Sequence, residues 1–127
     1  MINKKIGEDF EKELLNILKL NNFWATKLKE KQTGGPCDII ATKNNIFISI
    51  EAKNIENKTR FPKERIESNQ NSSYKRLCEV GSDKNTFFAF KTPKGIFLLH
   101  AKDVIENDLK SIEVTEGVDL EEWLKMY

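Results

Sequence analysis

Apolar residues recur at helical spacing at the start of the chain. Ile6, Phe10, Leu14, Ile17 and Leu18 fall on one face, which predicts an amphipathic first helix over 3–21. Asn3 serves as its cap and Asn21-Asn22 ends it. The period then changes. Phe23 to Leu28 alternates as a strand does, and Gly34-Gly35-Pro36 marks a turn. Two apolar runs follow at about 37–42 and 46–53. Asn44-Asn45 between them suits a tight hairpin turn, so the runs are expected to pair antiparallel. In the second run Phe47, Ser49, Glu51 and Lys53 share one face, while Ile46, Ile48, Ile50 and Ala52 share the other. The apolar face is expected to look into the core.

Beyond Asn54 the pattern is polar to Thr59, and Phe61-Pro62 precedes a helix expected at about 64–80, which Gly81 stops. Thr86 to Lys91 and Ile96 to His100 flank Pro93-Lys94-Gly95 as a second hairpin. Two short helices are expected at 102–110 and 119–126, with Trp123 as a packing anchor. His100 has no second ligand or base beside it and reads as structural. There is no internal repeat or linker, so residues 1–127 form one domain of the α/β class. A chain of this length buries roughly 65–70% of its unfolded surface.

Net charge is only +1, but its distribution is uneven. Residues 1–99 hold 18 Lys/Arg and 12 Asp/Glu, whereas residues 100–127 hold 3 and 8. The total gives no sign of a nucleic-acid binder; the body is basic and the tail acidic, and a solvated acidic helix at the end is the plain alternative reading. Cys37 and Cys78 are too few for a disulfide framework or a structural zinc site. The start, Met1-Ile2-Asn3-Lys4-Lys5, leads into no apolar h-region, and no apolar run is long enough to span a membrane. The expectation is a cytoplasmic protein with reduced thiols.

The candidate chemistry lies along 34–53. Asp38 opens the first apolar run, and Glu51-Ala52-Lys53 closes the second. An antiparallel hairpin brings Asp38 close to Glu51. Two carboxylates, with the carbonyl of Ala52, suit one hard divalent cation. Such a cation lowers the pKa of a bound water and stabilises charge on a phosphodiester in cleavage. Lys53 is a point charge able to orient that water or contact the phosphate. On spacing alone Glu11 reads as a boundary carboxylate of the first helix, and Gln70 as a surface glutamine.

A wider pattern joins these residues. Gly7-x-x-Phe10-Glu11, Asp38, Glu51-Ala52-Lys53 and Gln70 resemble the PD-(D/E)XK nuclease superfamily in order and spacing. More narrowly, Glu51-Ala52-Lys53, Asn57-Lys58-Thr59-x-Phe61-Pro62 and Gln70 resemble RecU-type Holliday junction resolvases. The resemblance runs from Gly7 to Phe90. It implies a restriction-endonuclease-like core with a mixed sheet flanked by helices. It also implies Mg²⁺-dependent cleavage (Mn²⁺ as the alternative ion) of branched DNA in recombination and repair, and a homodimer. Asp38, Glu51 and Lys53 match the metal-binding and catalytic core. Glu11 matches the first-helix glutamate that completes the metal site, Gln70 the supporting helix glutamine, and Thr59 a polar residue of the approach loop. RecU-type enzymes carry a basic arm and a protruding stalk. Here only Trp24 to Cys37 is available for a stalk, with Lys27, Lys29 and Lys31 as its basic residues. Cys37 stands between Pro36 and Asp38, where the superfamily name has Pro-Asp.

The leading reading is therefore a structure-selective endonuclease. A restriction-type or repair nuclease on linear duplex, a non-catalytic DNA-binding module and an interaction domain without a DNA role are the alternatives. A dimer surface is expected on the strand pair 86–100. The DNA track is expected to be flanked by Lys27, Lys29 and Lys31 on one side and by Lys58, Arg60, Lys63 and Arg65 on the other. Neutralising either cluster should weaken binding and flatten its salt dependence, measured by fluorescence anisotropy across a salt series. Charge reversal at Glu121 and Glu122 should matter less. Equal effects from tail and body would reduce the asymmetry to a solubility feature.

Overall fold

The computed structural model describes residues 2–28, 37–55, 58–81 and 83–127, the side chains of 2–6 excepted. Helix α1 (Ile2–Leu20) buries Phe10, Leu14 and Leu18, one per turn. It ends as its sequence suggests. Asn22 takes a left-handed φ of 68°, and Phe23 N–H returns to the Leu18 carbonyl at 3.1 Å.

Strands β1 (Trp24–Lys27), β2 (Ile39–Lys43) and β3 (Ile46–Asn54) form an antiparallel meander. Asn44 and Asn45 both have positive φ, 53° and 68°, which matches the right-handed twist of a two-residue hairpin. The sheet continues through β5 (Thr86–Thr92), β6 (Gly95–His100) and the two-residue β8 (Val118–Asp119), in the order β1-β2-β3-β5-β6-β8. Among the described residues only β3 and β5 pair in parallel. Parallel neighbours need a long crossover, and helix α2 (Ser68–Glu79) lies within it. Two shorter helices follow, α3 (Ala101–Ile105) and α4 (Leu120–Lys125).

Each face of the sheet carries its own apolar cluster. Ile39, Ala41, Ile48, Ile50, Phe87 and Ala89 meet α1 and α4 on one face. Phe88 and Phe90 meet Phe61, Tyr74, Ala101 and Val104 on the other. Strand β5 is therefore buried on both sides, which explains its apolar run Phe87–Phe90. Trp123 closes the first cluster. Its ring stacks on Phe23 at 5.9 Å and meets Phe87 edge-on at 5.4 Å. Gly117 is required by close approach, since a Cβ there would lie 2.7 Å from the Leu98 carbonyl oxygen.

Four expectations change. The helix expected at about 64–80 begins only at Ser68, because Arg60–Pro62 forms β4 and Lys63–Arg65 a 3₁₀ turn. Strand β4 pairs with β7 (Ser111–Glu113), which draws Phe61 onto Phe90 at 5.0 Å. The helix expected at 102–110 is cut to Ala101–Ile105, since the Asn107 amide donates to the carbonyls of Asp103 and Val104. Strands β7 and β8 were not foreseen; at three and two residues they carry too little periodicity to read. Of the strand pair 86–100, expected as a dimer surface, Thr86 to Phe90 are all buried, which narrows that expectation to the partly exposed Ile96, Phe97 and Leu99 of β6. Large exposed apolar side chains lie elsewhere, with Trp24 62% and Phe47 57% exposed. The Gly34-Gly35-Pro36 turn and most of the stretch available for a stalk lie outside the described residues. Among the described residues no helix is long and apolar enough to cross a membrane.

Trp123→Ala should cost about 3–5 kcal/mol of stability, as for a fully buried aromatic. Urea denaturation checks this, and a loss below about 1 kcal/mol would mean that α4 is not anchored through this ring.

Candidate active site

The site grows from the pairing of β2 on β3. The register sets Ile39 opposite Ile50 and Ile40 opposite Ser49, so Asp38, one residue outside β2, comes beside Glu51. Backbone and side chain then fix Asp38 together. Its N–H donates to the Ile50 carbonyl at 3.0 Å, and its Oδ2 accepts the Ala52 N–H at 2.9 Å. Leu28 N–H donates to the Asp38 carbonyl at 2.8 Å, tying in the end of β1.

Glu51 and Lys53 stand on the face of β3 away from α1, each with a 14% exposed side chain. The Glu51 Oε2 accepts from Gln70 Nε2 at 2.6 Å and lies 3.7 Å from Lys53 Nζ. Gln70 reaches it from the first turn of α2, while its Oε1 accepts the Glu67 N–H at 3.1 Å. Its other expected role, a solvated surface glutamine, is thus excluded by geometry. One residue that was not singled out also belongs here: the Glu67 carboxylate lies 3.9 Å from Lys53 Nζ. Glu67 and Gln70 close a reciprocal capping box at the start of α2, which was missed because that start was placed too early.

Glu11 sits differently. It is buried on α1, and its Oε1 lies 3.1 Å from Lys27 Nζ on β1. Among the described residues no three His, Cys, Asp or Glu side chains gather into one ligand group. Asp38 and Glu51 come together with Lys53 and Gln70, and Glu11 is held to Lys27. The donor chemistry nevertheless suits a hard cation. Near Asp38 and Glu51 the donors are carboxylate and carbonyl oxygens, which Mg²⁺ and Mn²⁺ prefer. The soft and nitrogen donors are turned to other uses: Cys37 Sγ donates to the Ile39 carbonyl at 3.2 Å, and His100 lies 4.6 Å from the Phe87 ring. Burial, above all, pushes the Cys37 thiol up to about 11.

Several basic residues expected on a DNA track have local partners. Arg60 donates to Ser111 Oγ at 3.0 Å and lies 3.7 Å from Glu113, whose carboxyl is held below its usual range chiefly by the Thr115 hydroxyl. Thr59 Oγ1 donates to the same Glu113 at 3.1 Å, and Lys63 Nζ donates to the Asn107 carbonyl. Arg65 lies over the Phe61 ring at 5.7 Å with an exposed side chain, and Lys58 is exposed. Lys29 and Lys31 lie outside the described residues.

The family model described as archaeal Holliday junction resolvase (Hjc) matches residues 2–127. No curated protein matches the chain. Among solved structures, Archaeoglobus fulgidus Hjc, a Holliday junction resolvase from an archaeal hyperthermophile, superposes with a TM-score of 0.69. The two are 20% identical, and the alignment covers 94% of this chain and 95% of that one. At such identity the likeness shows the fold, which is restriction-endonuclease-like.

The Cys37 thiol generates a prediction. Its value rises from 9.0 to about 11 on folding, so its contribution to stability is intact below about pH 9 and lost as pH climbs through about 11. At pH 8 iodoacetamide should label Cys78 in the native protein and spare Cys37 until denaturant is added, as read by mass spectrometry. Equal labelling of both in the native state would contradict the burial of Cys37.

Proposed function

The chain belongs to the archaeal Holliday junction resolvase (Hjc) family, and on that premise we propose that Asp38, Glu51 and Lys53 are its cleavage residues. Membership makes it a metal-dependent, structure-selective endonuclease that binds junction DNA and acts in recombination. The observation that carries the site reading is the fixed pair of carboxylates. Asp38 is tied to the Ala52 N–H and Glu51 to Gln70, beside the Lys53 ammonium.

Asp38, Glu51 and the Ala52 carbonyl would hold Mg²⁺, with Mn²⁺ as a substitute. When bound, the cation activates a coordinated water and offsets charge on the phosphate oxygens. The resemblance adds Glu11 as a further acid of the set, although here its carboxylate is turned to Lys27 at 3.1 Å. Gln70 orients the Glu51 carboxylate and excludes its free rotation, which is the work of an outer hydrogen-bond partner. Lys53 presents a positive charge toward the scissile phosphate and stabilises the added negative charge as the P–O bond breaks.

Lys58 and Arg65 are exposed cations between Lys53 and Gln70, and phosphate contacts through them would set binding and its salt dependence. Thr59, in the segment 51–70 that resembles RecU-type enzymes, belongs to the same approach. Resolving a junction takes two symmetric cuts, so the working form would be a homodimer with an isologous interface. A DNA substrate of this kind places the work in the cytoplasm.

Cleavage of a four-way junction beside a matched linear duplex, with and without Mg²⁺, tests the reading. Asp38→Ala, Glu51→Ala and Lys53→Ala should each lower the rate by roughly 100-fold or more, the scale of removing an electrostatic contact to a transition state. Junction binding should persist in all three. A Glu51→Ala protein that cuts near the wild-type rate would dismiss the site, and equal cleavage of linear duplex would dismiss junction selectivity.

A further inference from the structure

The polar contacts around Lys53 close into a circuit. Lys53 Nζ lies 3.7 Å from Glu51 Oε2, which accepts from Gln70 Nε2 at 2.6 Å. Gln70 Oε1 accepts the Glu67 N–H at 3.1 Å, and Glu67 Oε1 lies 3.9 Å from Lys53 Nζ. The circuit therefore runs from β3 to the start of α2 by two separate routes. One passes through the neutral Gln70 amide and the other through the Glu67 carboxylate.

The local backbone makes this arrangement reproducible. Glu67 is the N-cap of α2, with φ −73° and ψ 153°, and Gln70 stands three residues on. That spacing turns both side chains toward the same side of the first turn. Glutamate is a poor choice for capping alone, since Asp, Ser and Asn cap better. Its extra methylene becomes useful if the carboxylate must reach beyond its own helix to Lys53. The lysine needs such a partner. Its four-carbon stem is flexible, and the Glu51 carboxylate at 3.7 Å gives it only one loose anchor.

We propose that Glu67 is a positioning residue for cleavage: its carboxylate, from the N-cap of α2, holds the Lys53 ammonium over Glu51 in the substrate-free enzyme. The inference rests on the reading of Lys53 as a cleavage residue. Glu67 touches neither substrate nor cation in this scheme and acts through Lys53. Its side chain is 67% exposed, so the contact is solvent-screened and its worth lies in orientation, with little effect on stability. An incoming phosphate then meets an ammonium already placed and does not have to order it, which is where orientation lowers a barrier.

Glu67→Asp separates this role from capping. Aspartate is the better N-cap, but its side chain is one methylene too short to keep the contact. A residue that only caps predicts unchanged or higher stability and unchanged cleavage. The positioning role predicts a melting temperature at or above wild type and a single-turnover junction cleavage rate lower by roughly tenfold, in line with small misplacements of reacting groups. Junction affinity should stay within about twofold, because phosphate contacts lie elsewhere. Glu67→Gln keeps the length and loses the charge, and it should show the same fall in rate.

Lys53→Ala is measured in parallel. If Lys53→Ala cleaves at the wild-type rate, the cleavage-site reading fails and the Glu67 proposal goes with it. If Lys53→Ala is inactive while Glu67→Asp and Glu67→Gln cleave normally, the Glu67 proposal alone is overturned. It is overturned as well if the loss appears in affinity and the rate is unchanged, or if both Glu67 variants lose stability enough to account for their activity.

Discussion

The arrangement of this protein depends on the register of β2 against β3. Side chains on a strand alternate between faces, so a slip of one residue would carry Glu51 and Lys53 into the apolar cluster beneath the sheet and bring Ile50 and Ala52 outward. The register is held at both ends. Two asparagines in left-handed conformations close the turn, and Asp38 clamps the open end through backbone and carboxylate alike. The clamp is also the candidate chemistry: the group that fixes the strands is one of the acids that would bind the cation.

That coupling explains which features could be read from the sequence. The first helix, both hairpins and the faces of β3 followed from periodicity, because one side of each element meets a continuous apolar cluster. Asp38 beside Glu51 followed from the hairpin. The resemblance to a nuclease superfamily supplied what spacing could not, namely that Gln70 belongs with Glu51. Glu11 was placed on its helix correctly, yet its pairing with Lys27 depends on how α1 lies against β1, and no local pattern encodes that.

The rest was hidden for a common reason: it depends on partners distant in sequence. Arg60–Pro62 has the look of a helix approach until Ser111–Glu113 pairs with it. Arg60, Thr59 and Lys63 have the look of a DNA track until Glu113, Ser111 and the Asn107 carbonyl are seen to engage them. A cluster of cations shows where charge is plentiful, and only the fold shows how much of it is already committed. The uneven charge of the chain takes on a second meaning here, since one acid of the C-terminal quarter, Glu113, pairs with Arg60 of the segment after β3.

The pairing of β4 with β7 also bears on when the surroundings of the acids take shape as the chain is made. A chain emerging from the ribosome presents its hairpin early, and Asp38, Glu51 and Lys53 are close neighbours as soon as β2 and β3 pair. The loop into α2 has no such local support. Lys63 N–H waits for the Lys110 carbonyl, and β4 waits for a strand some fifty residues further on. Until Lys110–Glu113 has been made, the acids are present but the approach to them has no fixed wall. Two carboxylates can thus meet well before the segment that flanks them has anything to pair with.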